Sequence, residues 1–259
     1  MLKFSKANAK IEALKDVPEL ATYLEGNRKV YSFDLLSGYS CPFAEKCLSK
    51  ATVQLDGKRK IKDGPKTEFR CFSASQEVQY TNVYNLRKGN FDTMRKYHTS
   101  WDMLKVLAYN IPKDAGIVRI HVAGDMFNEQ YFKAWIKLAV LEPNVLFYAY
   151  TKSLRYWVDN MHLIPDNLIL TASRGGREDH LIDEHNLRES VVVFSESEAE
   201  EKNLIIDHDD SHAARPSLKD NSFALLIHGT QPKGTEAANA LTILKKNKVK
   251  HSYSRKVKV

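Results

Sequence analysis

The fold is indicated by residues 117–151, which read IVRIHVAGDMFNEQYFKAWIKLAVLEPNVLFYAYT. Two runs rich in β-branched and aromatic residues, 117–124 and 145–151, are typical of strands. Between them, residues 128–141 place apolar side chains at helical spacing, which predicts a helix with one buried face: Tyr131, Trp135, Leu138 and Ala139. A strand, a helix and a second strand predict a right-handed crossover between two parallel strands.

The same alternation continues along the chain and predicts an α/β fold. Further strands are expected at 29–36, 168–173, 191–196, 204–207 and 223–229, and further helices at 73–88, 90–110, 153–162 and 235–245. Successive parallel strands favour a complete or partial (β/α) barrel with mostly parallel strands. An open doubly wound sheet is the alternative. We expect a single domain over 1–259, with a helical, polar segment at 1–28 and a basic tail at 245–259.

Two segments carry more detailed expectations. Residues 52–70 are predicted to form a small charged hairpin insertion, because Asp56-Gly57 is a typical turn pair. The helix at 90–110 carries a stripe of large apolar side chains at helical spacing, which predicts that the stripe lies in the core: Met94, Tyr97, Trp101, Leu104 and Leu107.

The charge balance favours anionic partners. The chain has 259 residues and a formal net charge of +7, which favours nucleic acid, DNA first, although solubility alone is the simpler interpretation. No apolar run is long enough to span a membrane, and the first residues contain no apolar stretch suited to secretion. We therefore expect a cytoplasmic protein, in which reduced cysteines bind metal or take part in catalysis.

Polar side chains follow several of the predicted strands. The carboxyl ends of parallel strands all lie on the same side of a sheet, and α/β enzymes place their catalytic residues there. These positions predict the catalytic residues Asp125, Lys152, His208 and Asp210, and Asp34 within the first strand is a further catalytic candidate. Gly229 and Lys233 lie where a strand leads into a helix, and the backbone N–H groups there could bind a phosphate or carboxylate of a cofactor. Asp125 is alternatively a helix N-cap, and residues 207–212 are alternatively a solvated acidic turn or a magnesium site.

Three cysteines form the most specific candidate site. Cys41 and Cys47 lie in a loop after the first main strand, and Cys71 follows the predicted hairpin, which would fold it back towards that loop. Thiolates are the ligands that iron–sulfur clusters and zinc prefer. Three thiolates would leave one iron of a four-iron cluster open, whereas zinc would need a fourth ligand. Three ordinary small apolar residues are the remaining alternative.

The chain resembles a phage family known as gene product 88. The resemblance is carried by FDLLSGYSCPFAEKC, RCFSAS, RIHVAGDMFNEQYFKAWIKL, NVLFYAYTKSL, LTASRGGREDH, VVFSESEA, IDHDDSHA and FALLIHGTQPKG. It therefore spans most of the chain and implies a protein of a phage-infected host cell.

More distantly, the order of these parts is similar to that of radical S-adenosylmethionine enzymes. In those enzymes a cysteine loop after the first barrel strand holds a 4Fe-4S cluster by three thiolates, and the next strand ends in a Gly-Gly-Glu-like motif. The resemblance implies that Cys41, Cys47 and Cys71 bind the cluster. It also implies that Gly124 and Asp125 contact the amino end of S-adenosylmethionine, with a further set of contacts on the next strand: Tyr150, Lys152 and Ser153.

Basic residues in two places are candidates for nucleic-acid binding. Arg174 and Arg177 flank a Gly-Gly loop, and the basic tail contributes four more cations that would bind phosphates: Lys245, Lys246, Arg255 and Lys256. A solvated surface loop and terminus are the alternative interpretation.

Three functions are compatible with these patterns. The first is an iron–sulfur enzyme that resembles radical S-adenosylmethionine enzymes and acts on nucleic acid or a nucleotide. The second is a zinc-containing barrel that exchanges guanine in DNA for a 7-deazaguanine base, with Asp125 or Asp34 as nucleophile. The third is a non-catalytic protein that binds nucleic acid.

Overall fold

Eight strands form one sheet in the computed structural model, which describes residues 1–249, and two more strands form a separate hairpin. The strands are β1 (Ser5–Lys6), β2 (Lys29–Phe33), β3 (Ser49–Val53), β4 (Arg59–Asp63), β5 (Ala115–Ile120), β6 (Leu146–Thr151), β7 (Leu168–Ser173), β8 (Glu189–Val193), β9 (Ile205–Ile206) and β10 (Phe223–Leu226). The helices are α1 (Ala9–Glu12), α2 (Phe72–Gln79), α3 (Thr81–Met94), α4 (Ser100–Asn110), α5 (Glu129–Leu141), α6 (Leu154–Asp159), α7 (His180–Glu184), α8 (Glu196–Glu201), α9 (Ser211–Ala214) and α10 (Glu236–Lys246). Short 3-10 helices cover Ala13–Asp16, Pro18–Asn27, Met161–Leu163 and Pro216–Leu218. Within residues 1–249, the helices are too short or too polar to cross a membrane.

The large sheet is almost entirely parallel. Its strand order is β1-β2-β5-β6-β7-β8-β10-β9, and only the short β1 runs antiparallel to its neighbour. From β2 to β8 the strands of this sheet are arranged in chain order. Right-handed crossovers that advance in one direction place their helices on one face of a sheet. The prediction of an α/β fold with mostly parallel strands is confirmed.

The sheet is open. β1 lies at one edge and β9 at the other, and no strand pairing within residues 1–249 joins these edges. The prediction of a barrel is therefore not confirmed. The strand order also lacks the central reversal that defines a doubly wound sheet, so the alternative prediction matches only in being open.

The two faces of the sheet are covered by different parts of the chain. On one face, Phe33 and Phe147 pack in a large apolar cluster with Trp135 of α5. On the other face, Ile117 and Leu146 pack in a second cluster with the first 28 residues. That segment is largely helical, as predicted, but it is not simply polar, because three of its side chains are fully buried: Ile11, Leu14 and Leu20.

The two helices predicted at 73–88 and 90–110 are three helices in the structure. Residues 95–99 separate α3 from α4, and the Thr99 hydroxyl caps α4 by accepting a hydrogen bond from the backbone N–H of Asp102. Because of this break, residues before 95 and after 99 belong to different helices, and the apolar side chains no longer lie along one continuous helix face. The predicted burial of Trp101 is wrong, because its side chain is 61% exposed and lies under the ammonium of Lys137.

The predicted charged hairpin is confirmed. β3 pairs antiparallel with β4, and Gly57 occupies the left-handed region at the turn, with φ of 76°. The hairpin begins at Ser49, three residues before the predicted start. Ala51 on one of its faces is fully buried, so the hairpin is anchored to the domain.

Candidate functional site

The three cysteines come together beyond the carboxyl end of β2. All three are free thiols. Burial raises the pKa of the Cys41 thiol well above its ordinary value, and the nearby Asp125, Cys71 and Cys47 raise it further. Burial and the Cys47 thiol raise the pKa of Cys71 to about 11. Each thiol therefore lies within electrostatic range of the other two.

The hairpin brings Cys71 to this place. The backbone N–H of Cys71 donates to Ser49 Oγ at 3.2 Å, and Ser49 Oγ donates to Asp63 Oδ1 at 2.8 Å. Arg70, the residue before Cys71, forms an ion pair of 2.6 Å with Asp63. These contacts close the base of the hairpin. Two cysteines that are 24 residues apart in sequence are thereby held in one site.

The cysteine loop depends on a glycine. Gly38 has φ of 70°, and a Cβ atom at this position would lie 2.5 Å from the carbonyl oxygen of Ser49. Its backbone N–H donates to Cys41 Sγ at 3.3 Å. Because only glycine fits between the loop and β3, the path of the loop and the orientation of Cys41 are fixed together.

The turn after β5 packs directly against this loop. Gly124 has φ of 90°, and a Cβ atom there would lie 2.6 Å from Ser40 Oγ. The Asp125 carboxylate is buried and accepts hydrogen bonds from the backbone N–H groups of Met126 at 2.7 Å and Lys152 at 2.8 Å, and from the Thr151 hydroxyl at 2.6 Å. Burial raises the pKa of Asp125, and these three donors oppose that shift. The N-cap of α5 is Asn128 rather than Asp125.

Lys152 and Ser153 connect neighbouring strand ends. The Lys152 ammonium donates to the carbonyl oxygens of Ser173 at 2.6 Å and Arg174 at 3.0 Å. Ser153 Oγ donates to the carbonyl oxygen of Met126 at 2.8 Å. Both side chains are buried beside Asp125, where the sequence pattern predicted them, and both brace the loops around the cysteines.

Asp34 and Asp125 accept hydrogen bonds from different donors. Asp34 Oδ1 accepts the backbone N–H groups of Val122 at 2.7 Å and Ala123 at 3.2 Å, and Oδ2 accepts the Ser32 hydroxyl at 3.4 Å. The carboxylate thus ties β2 to the loop after β5. A carboxylate whose two oxygens both accept hydrogen bonds in this way is typical of a structural residue. The arrangement does not favour Asp34 as the nucleophile of a base exchange.

A buried ion pair next to the cysteines was not predicted. Glu77 of α2 is fully buried, and its Oε1 accepts the backbone N–H of Ser37 at 3.0 Å, the Ser37 hydroxyl at 2.8 Å and Arg87 Nη1 at 3.2 Å. Its Oε2 has no hydrogen-bond partner among the described residues. The Glu77 carboxylate also raises the pKa of Cys71, so it lies within electrostatic range of that thiol. Its spacing to Arg87 carries no signal, because the two residues lie on different helices.

The described residues do not offer a site for a single metal ion. Within residues 1–249, no three His, Cys, Asp or Glu side chains are grouped closely enough to bind one ion. A mononuclear zinc site needs ligands that converge on one point at about 2.0–2.3 Å. The described residues therefore do not form the converging set of ligands that a single zinc ion needs.

A second polar group, here called the Asp210 centre, lies on the opposite face of the sheet under the N-terminal segment. Asp210 is fully buried and accepts from Arg119, Lys10 at 2.6 Å, Tyr148 at 3.1 Å and Tyr150 at 3.2 Å. Although burial alone would raise the pKa of Asp210, Arg119 and Lys10 hold it below its ordinary value. The predicted residues Asp210 and Tyr150 thus meet, but as part of an ion network.

The remaining predicted residues of this half of the chain are dispersed. His208 is partly buried in the loop before Asp210. Gly229 has φ of 80° and packs on the ring of Phe72, the residue after Cys71. Lys233 is exposed. His228, which was not predicted, packs against the Phe72 ring at 5.2 Å, and burial lowers its pKa to about 4.

Asp207 makes the stability of the folded chain pH-dependent. Burial raises the pKa of Asp207 to about 6, Asp210 adds to the shift, and Oδ2 has no hydrogen-bond partner among the described residues. Between about pH 4 and pH 6 the folded chain keeps a proton that the unfolded chain has lost, so stability falls as the pH rises. We expect Asp207→Asn to stabilise the protein by about 2–3 kcal/mol at pH 8 and to have little effect at pH 4. Urea unfolding at both values measures this, and an equal effect at both would contradict it.

The basic residues predicted to contact nucleic acid differ in whether their charges are paired with carboxylates of the protein. Arg174 pairs with Glu189 and, at 2.7 Å, with Asp183, so its charge is already balanced. Arg177 is exposed, and its backbone N–H donates to the carbonyl oxygen of Phe43. Lys245 and Lys246 are exposed at the end of α10. Two further predicted contacts lie outside the described residues: Arg255 and Lys256.

Comparison with known proteins connects the chain to a family. The family described as gene product 88 matches residues 2–248, which include the cysteine loop, the turn at Gly124 and the Asp210 centre. No curated protein and no solved structure matches the chain.

Proposed function

This chain belongs to the phage family gene product 88, and we propose that it is an iron–sulfur enzyme that uses S-adenosylmethionine as radical enzymes do. The observation that carries the proposal is the meeting of Cys41, Cys47 and Cys71 beside the Gly124–Asp125 turn. The thiols follow β2 and the turn follows β5, which are adjacent parallel strands. Cofactor sites of α/β enzymes lie at such strand ends.

The chemistry of the donor set fits a cluster. Besides burial, the neighbouring thiols and the carboxylates of Asp125 and Glu77 raise the pKa of Cys41 or Cys71. Backbone N–H groups of Gly38, Ala74 and Ser73 oppose the rise without overcoming it. These surroundings favour protonated thiols until a positively charged metal group binds, because bound metal stabilises thiolates. Glu77, whose charge acts on the Cys71 thiol, also has one carboxylate oxygen, Oε2, without a hydrogen-bond partner among the described residues. When bound, a cluster with S-adenosylmethionine supplies one-electron chemistry that removes a hydrogen atom from a substrate.

The chain's own residues shape and orient this site. Gly38 allows the cysteine loop to pack against β3, and Gly124 allows the turn after β5 to pack against the cysteine loop, more closely than any side chain would permit. Asp125 is held in one orientation by three donors, so it positions the ends of β5 and β6. Lys152 fixes the end of β7 in the same way. Rigid support of this kind is what a precise cofactor site requires.

Nucleic acid or a nucleotide is the proposed substrate class. The support is the net charge of +7 and the exposed cations Arg177, Lys245 and Lys246. Cations attract phosphates over distances of about a Debye length, so such a surface favours encounter with nucleic acid at moderate salt.

Metal and sulfide analysis of protein purified without oxygen tests the proposal. We expect about four irons and four sulfides per chain, with visible absorption typical of a cluster. Cys41→Ser, Cys47→Ser and Cys71→Ser should each lose most of the iron, because each removes one of three ligands. Ser197→Ala, at an exposed position, should keep it. The loaded protein should then cleave S-adenosylmethionine in the presence of a reductant.

Two results would contradict this proposal. One zinc and no iron per chain would favour the zinc-containing base exchange instead. No metal, together with unchanged behaviour of all three cysteine variants, would favour a protein without metal chemistry.

A further inference from the structure

The hairpin between Cys47 and Cys71 has two unlike faces. The inner face carries Ala51, which is fully buried, and Arg59, which donates to the carbonyl oxygen of Glu77 in α2 at 2.8 Å. Residues directly opposite one another in an antiparallel ribbon point to the same side. The pairs Lys50↔Lys62 and Thr52↔Lys60 therefore form the other side. We call this side, made of Lys50, Thr52, Lys60 and Lys62, the outer lysine face.

Folding does not explain the outer lysine face. Like charges directly opposite one another in a ribbon are destabilising, yet Lys50 faces Lys62. Lys60 and Lys62 are exposed, and no carboxylate within residues 1–249 forms an ion pair with either ammonium. Other cations of the same insertion are paired, as Lys66 is with Glu45 at 2.6 Å. Lys60 and Lys62 are thus left without a carboxylate partner among the described residues.

The outer lysine face is held rigidly beside the cysteines. Gly38 packs against the carbonyl oxygen of Ser49 and the side chain of Lys50, and the Tyr39 hydroxyl donates to the carbonyl oxygen of Ala51 at 3.3 Å. The ammonium of Lys50 lies 5.0 Å from the Tyr39 ring centroid. The same loop continues to Cys41, so an anionic molecule on this face would lie next to the proposed cluster site.

We propose that the outer lysine face is a docking surface for double-stranded DNA. Lysine ammonium groups bind phosphates through charge, and neutralising phosphates releases counterions from the duplex. The major groove of B-DNA is wide enough for a two-stranded ribbon, whereas the major groove of A-form RNA is deep and narrow. The inference rests on the proposed function and extends it by naming double-stranded DNA as the partner and the outer lysine face as the surface that binds it. Binding of DNA to this face does not itself require a cluster.

Binding of a fluorescent duplex of about two helical turns tests the docking surface. The variant Lys60→Ala/Lys62→Ala, in the full chain, should bind about tenfold or more weakly at moderate salt, and its salt slope should fall by about 2. The matched control is Lys113→Ala/Lys219→Ala, which removes the same charge from exposed positions before the amino ends of β5 and β10, whereas the cysteine loop follows the carboxyl end of β2. The control should bind nearly as the unaltered chain does.

Two outcomes would overturn the inference. One is that the ribbon variant binds the duplex as well as the control variant does. The other is that an A-form RNA duplex of the same sequence binds as tightly and depends equally on Lys60 and Lys62.

Iron content separates this inference from the proposed function. The ribbon variant should keep the iron of the unaltered chain, because both substituted side chains are exposed and lie on the side of the hairpin opposite the buried Ala51. A chain without iron that still binds duplex through the outer lysine face would contradict the proposed function alone. A chain with four irons whose duplex binding ignores these lysines would contradict this inference alone.

Discussion

Asp210→Asn should lower the free energy of unfolding by about 3–5 kcal/mol, as breaking a buried ion pair does. The carboxylate balances Lys10 at 2.6 Å and Arg119, both largely buried, and accepts from Tyr148 and Tyr150. Asparagine keeps the size of the side chain and tolerates the left-handed backbone at this position, with φ of 63°. The substitution therefore isolates the loss of charge, which leaves two buried cations uncompensated. Urea unfolding at pH 7 measures the effect.

The matched control is Asp166→Asn, the same chemical change at a fully exposed side chain 3.9 Å from Lys219. Exposed ion pairs contribute about 0–1 kcal/mol, so this variant should unfold almost as the unaltered chain does. Because the pKa of Asp210 is lowered in the folded chain, its contribution is present above about pH 4 and is lost as the pH falls further. Equal unfolding of the two variants at pH 7 would show that the Asp210 centre does not stabilise the fold.

The strands could be predicted because their patterns are local. Residues 168–173 match β7 at both ends, and 145–151 differs from β6 by one residue. The closure of the sheet could not be predicted, because it depends on whether the two edge strands approach each other in space. β9 has only two residues and is paired with β10 alone, and no local pattern in the chain specifies that.

The residues of the candidate site could be predicted where they directly follow a strand. They could not be predicted where they lie inside a strand or a helix. Strand ends indicated Asp125, Lys152 and Asp210, all of which are buried and hydrogen-bonded. Arg119 was missed although a charged residue between Val118 and Ile120 in a buried strand is a usable signal, since charges are rarely buried without partners. Glu77 offered no such signal, because an acid on a short helix looks like a solvated residue.

Arg87→Met should cost about 3–5 kcal/mol of stability, because it leaves Glu77 buried without its cation. Arg87 is 4% exposed and donates to Glu77 Oε1 at 3.2 Å and to the carbonyl oxygen of Ser73 at 3.0 Å. Burial already raises the pKa of Glu77, and Arg87 opposes that rise. Without Arg87 the pKa rises further, so the loss of stability should be larger at pH 8 than at pH 5, where protonation relieves the charge. Urea unfolding at the two pH values measures both quantities.

Arg95→Met provides the matched control, since it makes the same change at the end of α3 in an exposed pair with Asp92 at 3.5 Å, and it should cost less than about 1 kcal/mol. The double variant Glu77→Gln/Arg87→Met tests the cause. If the uncompensated charge dominates, the double variant is more stable than Arg87→Met alone, because no buried carboxylate remains. The backbone N–H and hydroxyl of Ser37 both donate to Glu77, so the double variant also changes the acceptor of these two bonds to the cysteine loop. A double variant less stable than Arg87→Met would show that the packing of Glu77 and its contacts with Ser37, rather than charge balance, determine how much this buried pair stabilises the fold.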